Sequence, residues 1–452
     1  MLQYRNLSSV MVWIFLSLFT VNAFGQSKSF SREQMAQDID SLFSSIEQVH
    51  PDMYAVYPKQ KLKQEIEKVK SELNPSGDIF YFYRLVAPLV VKLGDGHTNF
   101  FPPFRGPEDF ANMLLLPLSV KITSPDKRIF VRDEYNTIPS EAQILSINNI
   151  EAENIVQEMM NYSSGEKDFY RIDKLKQLFT PLMSILFGDS VYNIVYLYNQ
   201  EKHSVQIKAI SFNEVSEIVS QQNRSEPTEF YTFRSLPDKN IGIIEFNQFT
   251  DFDKFKVFLD TTFQILQKEN IGNLIIDIRK NGGGNSSLGD ELLQYISPEP
   301  FAQFGKTIVK YSDIQKQVYK SYGREITNPN GIEIYNEKRT LIELRENPFR
   351  YKGNVYLLIS HSTFSSAASF SWAFKYFKMG TVIGEESGGM AVCFGDVISL
   401  KLPNTGLFYG CSFKKFYQYG ATDDNIHGTL PDYDVEAEKA LDFTIDLITQ
   451  RK

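Results

Sequence analysis

From Asn240 onward the chain alternates two hydrophobic periods, and no other feature constrains its fold as much. Short β-branched runs, "IGIIEF" (241–246), "NLIIDIR" (273–279), "NVYLLIS" (354–360) and "GTVIGE" (380–385), are separated by stretches with helical spacing over 253–269, from Leu288, and up to Lys378. Continuous apolar runs of this length read as strands buried on both faces, and strands that alternate with helices build a partly parallel sheet. Ligands and reactive groups gather at the carboxyl ends of such strands. Two of those ends are unusual in composition: "NGGGN" (281–285) follows the second run, and "HSTFSSAASFSW" (361–372) follows the third.

The first half of the chain reads differently. Ser31 and Gln34 make a capping box before Met35, Ile39, Leu42, Phe43 and Ile46, which share one helical face up to His50-Pro51. Further helices are predicted at 61–73 and 79–93, the latter carrying Pro88, and "GDGHT" (94–98) breaks the pattern. Between 114 and 211 the signal turns to short strands, with a helix predicted over 152–160. The segment from 301 to 348 is an insertion rich in Tyr, Lys and Asn to which the sequence assigns no role.

Composition excludes some functions. The 36 phenylalanines and 24 tyrosines argue against disorder, and an acidic chain of net charge −8 without a basic cluster is a poor partner for nucleic acid or anionic lipid. Residues 1–25, with Arg5 as the one charge, an apolar run over 10–21 and Ala23-Phe24-Gly25 before Gln26, read as a secretory signal peptide. The expectation is a periplasmic or secreted protein with no stable membrane insertion after cleavage. Cys393 and Cys411 flank two predicted strands and could pair in an oxidising compartment. His50, His97, His203, His361 and His427 show no metal-ligand spacing, so neither a metal nor an organic cofactor is expected.

Three local features carry chemistry, each with a bland alternative. A glycine run at a strand's carboxyl end brings backbone N–H groups close to a ligand, as an oxyanion hole requires, or simply makes a tight turn. A serine at a strand-to-helix turn has its hydroxyl at a helix N-terminus, or caps the helix; Ser362, Ser365 and Ser366 fit the cap equally well. His97 on its glycine turn is a candidate general base, or a solvated loop residue.

Taken in order, "GDGHT", "IGIIEF", "LIIDIRKNGGG", "TFSSAASF", "GTVIGEESGG", "LPNTGL" and "HGTLPDYDV" resemble the C-terminal-processing (tail-specific) and tricorn-type serine peptidases. The resemblance implies an α/β, crotonase-like (ClpP-like) catalytic core over 213–452, an N-terminal helical domain over 26–112, and a PDZ-like middle domain over 113–212. The PDZ likeness rests on "SEAQILSINNIEAENIVQEM" and lacks that family's glycine-containing carboxylate-binding loop.

The resemblance also distributes roles. It makes Ser365 the nucleophile, with oxyanion donors from the Ser366 N–H and from Gly283, Gly282 being its neighbour. Met390 stands where Ser-Lys members of the family carry their lysine base, and a thioether cannot take a proton; the histidine-base branch is therefore implied, with His97 as base. For the acid that orients His97, Asp424 is the first choice and Asp423 the second, from "TDDNIHGTLPD"; Asp95 is a further candidate, and His427 reads as a loop residue. The implied function is peptide-bond hydrolysis through a Ser-His-(Asp) acyl-enzyme, acting on peptide or protein substrates. The rivals are an inactive peptide- or ligand-binding homologue on the same scaffold, and a hydrolase of small esters. Oligomeric state is not encoded in any of these motifs.

Overall fold

The computed structural model describes residues 28–103, 113–135, 137–215, 229–336 and 340–450. The expected signal segment lies outside these residues. The alternating region forms a six-stranded sheet in the order Tyr231–Leu236, Ile241–Phe246, Asn273–Asp277, Asn354–Ile359, Thr381–Gly384, Tyr433–Asp434. The first pair is antiparallel and the remaining four pairings are parallel. Strand residues alternate between two cores. Ile244, Ile276, Leu357 and Ile359 face the helices Phe252–Lys268, Ser287–Ile296 and Ser366–Tyr376, while Ile243, Ile275 and Leu358 face the C-terminal helix Ala440–Gln450. Burial on both faces is why these strands lack a polar side in the sequence.

Because Asn273–Asp277 and Asn354–Ile359 are parallel neighbours in register (Asp277 opposite Leu358), their carboxyl ends lie side by side. The glycine turn and the serine turn are thereby brought together. This juxtaposition positions the site.

The insertion has a structural place. Strand Phe304–Tyr311, helix Asp313–Ser321 and strand Gly331–Asn336 extend a second, antiparallel sheet that also contains Val392–Lys401 and Phe408–Gln418. Asn99–Phe100, just after "GDGHT", hydrogen-bonds to Phe408–Gln418, with Asn99 opposite Gly410. The helices Arg32–Val49, Lys59–Ser71 and Ile79–Val91 share a core with this sheet through Leu407, Tyr409 and Phe413. The capping box at Ser31 is present, and Pro88 sits inside the third helix.

Residues 114–211 hold a further sheet, antiparallel throughout, of the strands Val120–Ile122, Ile129–Val131, Gln143–Ile147, Ile150–Glu151, Val191–Tyr198 and Glu201–Lys208. The helices Ala152–Met159 and Asp168–Phe187 accompany it. The cysteines are not bonded to each other: Cys393 lies opposite Phe416 and Cys411 opposite Ile398, so they are out of register on neighbouring strands.

Candidate active site

Ser365 begins the site. It is the residue before the helix Ser366–Tyr376, yet its side chain makes no capping bond to that helix. Its backbone has φ 52° and ψ −128°, a conformation that non-glycine residues adopt only when surrounding structure imposes it. The constraint comes from both sides of the turn. Phe364 N–H donates to the Asn281 carbonyl at 3.1 Å, and the Gly389 N–H donates to the Thr363 carbonyl at 3.1 Å. The strained turn aims the Ser365 Oγ at the Nε2 of His97, 3.0 Å away, from a residue 268 positions earlier in the chain.

The other four serines of the stretch are committed elsewhere. Ser366 Oγ donates to the Gly284 carbonyl (2.6 Å), Ser362 to Asp173, and Ser371 to the Ala368 carbonyl; Ser369 accepts from Gln418 Nε2 at 2.9 Å. Each is explained by packing.

His97 is held by Asp95, which stands two residues before it on the same turn. Its backbone N–H donates to Asp95 Oδ1 at 2.8 Å, and its Nδ1 lies 4.0 Å from the same oxygen. The ring stacks on Phe364 at 4.4 Å between centroids, and Tyr170 stacks on the opposite side of the cluster against Phe364 at 4.3 Å. The imidazole is buried apart from 13% of its side chain. Burial lowers its pKa from the ordinary histidine value, against the raising influence of Asp95 and Asp396, so the ring stays an unprotonated base to lower pH.

Asp95 is fully buried. Burial would raise its pKa, but the hydrogen bond and proximity of His50, the nearby His97 and the Ser412 hydroxyl outweigh it and hold the carboxyl well below the usual range. Beside it lies Glu166, whose two carboxyl oxygens are buried with no hydrogen-bond partner among the described residues, as is His97 Nδ1. Burial, and then the charge of Asp95, push the Glu166 pKa up to about 8, so at neutral pH it is mostly the uncharged acid. Lys174 closes the cluster, donating to Asn99 Oδ1 (3.1 Å) and the Ser164 carbonyl (2.8 Å); burial lowers its pKa to about 8.

Two of the candidate acids lie on the surface. Asp424 is exposed on the 422–425 turn and is not the carboxyl that the fold sets beside the imidazole; Asp423, also exposed, accepts from the Tyr417 hydroxyl at 2.8 Å. Asp95 and Glu166 take that place, their nearest donor atoms and those of His97 all lying within 4.8 Å of one another. The same three side chains each set one atom that could ligate a cation within that distance.

Gly283 requires glycine, and Gly282 does not. A Cβ on Gly283 would lie 2.7 Å from Ser365 Cβ and 2.8 Å from Ser366 N, and its φ of +99° also excludes a side chain; at Gly282 a Cβ would meet nothing within 4 Å. The Gly283 N–H is engaged, donating to Asn281 Oδ1 at 2.8 Å in an Asx turn. Ser366 opens a helix, where N–H groups lack intrahelical acceptors. Met390 is buried, bridged to Gly428, and offers no base.

Glu166, Lys174, Asn281 and His50 escaped the sequence reading. Glu166 and Lys174 lie in the middle segment, whose pattern spoke only of strands and helices. Asn281 stands directly before the glycines and could have been found as the turn-closing residue of "NGGG".

Residues 240–435 match the model of Peptidase family S41. That segment is a Peptidase family S41 domain. The chain is a serine-type peptidase, and its substrates are peptides or proteins. The fold is also that of mature CPAF, with 13% identity over 92% of this chain and 97% of that chain and a TM-score of 0.63. A second structure, mature CPAF complexed with lactacystin, matches with 13% identity over 93% of this chain and 98% of that one, at a TM-score of 0.65. The S41 domain brings the glycine and serine turns of the site; His97 and Asp95 lie outside the matched residues.

Proposed function

We propose that this peptidase works through Ser365, His97 and Asp95 by an acyl-enzyme route. One observation carries the reading: a strained serine whose hydroxyl meets a buried imidazole at 3.0 Å, across most of the chain's length. Ser365 Oγ forms a bond to the substrate carbonyl carbon while its proton passes to His97 Nε2. With Nε2 as acceptor, the ring's hydrogen resides on Nδ1, facing the Asp95 carboxylate, whose charge stabilises the imidazolium as it forms. The oxyanion is held by the Ser366 N–H; the Gly283 N–H, bonded to Asn281 Oδ1, becomes a second donor only by giving up that acceptor. Collapse breaks the peptide C–N bond, and the amine leaves with the proton from Nε2. Water then attacks the Ser365 ester, giving up a proton to His97, and the carboxylic acid is released with the serine restored.

In this reading the core over 213–452 is crotonase-like, and residues 113–212 form the PDZ-like part, a proposal supported by the antiparallel sheet and the helix Ala152–Met159. Export to the periplasm or medium is supported by the character of residues 1–25, and among the described residues no helix is long and apolar enough to cross a membrane.

A fluorophosphonate probe tests the site directly. Labelling of the wild-type chain that is lost in both Ser365→Ala and His97→Ala, together with loss of peptide hydrolysis, is the expected result. Undiminished hydrolysis by folded Ser365→Ala would sink it, and labelling with ester turnover but no peptide cleavage would restore the small-ester hydrolase.

A further inference from the structure

Asp95 is reached from its far side by a residue with no part in the reaction as described above. His50 ends the helix Arg32–Val49, its N–H bonded to the Ile46 carbonyl at 2.8 Å, and it is 1% exposed. Its ring packs on Phe394 with centroids 4.4 Å apart. The inserted strand Phe304–Tyr311 secures its main chain, Lys310 Nζ donating to the His50 carbonyl at 2.9 Å and to the Glu47 carbonyl at 2.7 Å. Three separate elements thus fix one histidine.

The hydrogen bonds of the ring assign its tautomer. The Asp52 backbone N–H, which can only donate, lies 3.1 Å from His50 Nδ1, so Nδ1 is an acceptor. The ring hydrogen is therefore on Nε2, which points at Asp95 Oδ2 at 3.2 Å. Oδ2 also receives the Ser412 hydroxyl at 2.6 Å, and Oδ1 receives the His97 N–H at 2.8 Å. Every donor to Asp95 favours its ionised form, and together they leave it one orientation.

We propose that His50 is a positioning residue of the peptidase site: its Nε2–H fixes the Asp95 carboxylate that in turn orients His97. The proposal rests on the Ser365–His97–Asp95 reading. It also gives the insertion a function, because Lys310 anchors His50 through the main chain. An isolated buried carboxylate is unstable in an apolar setting, so each fixed donor around Asp95 contributes to holding it.

Glutamine and asparagine at position 50 separate this role from core packing. Gln Nε2 falls near the place of the imidazole Nε2 and can still donate to Asp95, whereas Asn Nδ2 falls near the place of Nδ1 and cannot reach. His50→Gln is expected to keep kcat within about threefold of wild type, and His50→Asn to lower kcat by about tenfold or more with KM within about twofold, both folded by circular dichroism. Equal kcat in the two variants, or failure of both to fold, overturns the proposal and leaves His50 a packing residue. Ser365→Ala and His97→Ala run alongside: if either keeps activity the site reading itself fails, whereas their inactivity with Gln and Asn indistinguishable defeats only the role of His50.

Discussion

Two stretches of this chain set an acid close to a histidine, "GDGHT" at 94–98 and "DDNIHG" at 423–428, and the fold treats them in opposite ways. In the first, Asp95 is fully buried, receives donors from His50, Ser412 and His97, and His97 meets Ser365. In the second, Asp424 is exposed, and His427 turns its Nδ1 to the neighbouring Gly428 carbonyl at 2.7 Å and its ring to Trp372. Residue types are nearly the same. What differs is desolvation: a carboxylate excluded from water and held by fixed donors acts on a neighbouring imidazole far more strongly than one screened by solvent.

The largest test of that contrast exchanges the histidines. His97→Ala, like Ser365→Ala, should cut kcat/KM by about 10³-fold or more, whereas His427→Ala should stay within about twofold; peptide-hydrolysis kinetics on folded variants decide it. The acids come next. Asp95→Asn should lower kcat by about 10²-fold or more while Asp424→Asn and Asp423→Asn remain near wild type, and a comparable loss at Asp424 would break the comparison.

A glycine pair then sharpens it on the oxyanion side. Gly283→Ala, which forces a methyl group into the Ser365 turn, should reduce kcat by about 10- to 100-fold, and Gly282→Ala, facing open space, should cost little. For the pH profile, burial lowers the pKa of His97, so the acid limb of kcat/KM should have its midpoint below 6.5. A midpoint above that value would mean that the ring is not desolvated as described.

The smallest effect concerns Glu166, whose pKa is raised by folding from 4.5 to about 8. A raised acid binds its proton more tightly in the folded state, so its contribution is complete below pH 4.5 and is lost as pH climbs through about 8. Thermal melts should therefore show wild type losing ground to Glu166→Gln between those values, and a pH-independent difference would contradict the burial of this carboxyl.

Much of the catalytic half was legible because its signals are local. Parallel strands buried on both faces leave continuous apolar runs, and their helices follow with period 3.6, so the elements over 241–296 and 354–384 could be placed within a few residues, whereas the strands and helix of the insertion carried no such pattern. The nucleophile needed more. A helix cap and an attacking serine look alike in sequence, and only the missing capping bond and the approach of His97 separate Ser365 from its neighbours. In sequence Asp95 ranks behind Asp424 and Asp423, because a residue two positions away on a tight turn seldom faces its neighbour's ring. The turn does leave Nδ1 4.0 Å from Asp95 Oδ1, too long for a hydrogen bond, and it is burial that makes the distance effective.

By itself, then, the sequence determined the order of strands and helices, the glycine and serine turns at adjacent strand ends, and a histidine on a turn of its own. Tertiary structure alone decided which carboxyl lies buried beside it. That choice depends on the dielectric around each carboxyl and on donors such as His50 and Ser412, brought to Asp95 from 45 and 317 positions away. Neither burial nor contact over such separations leaves a local mark on the sequence.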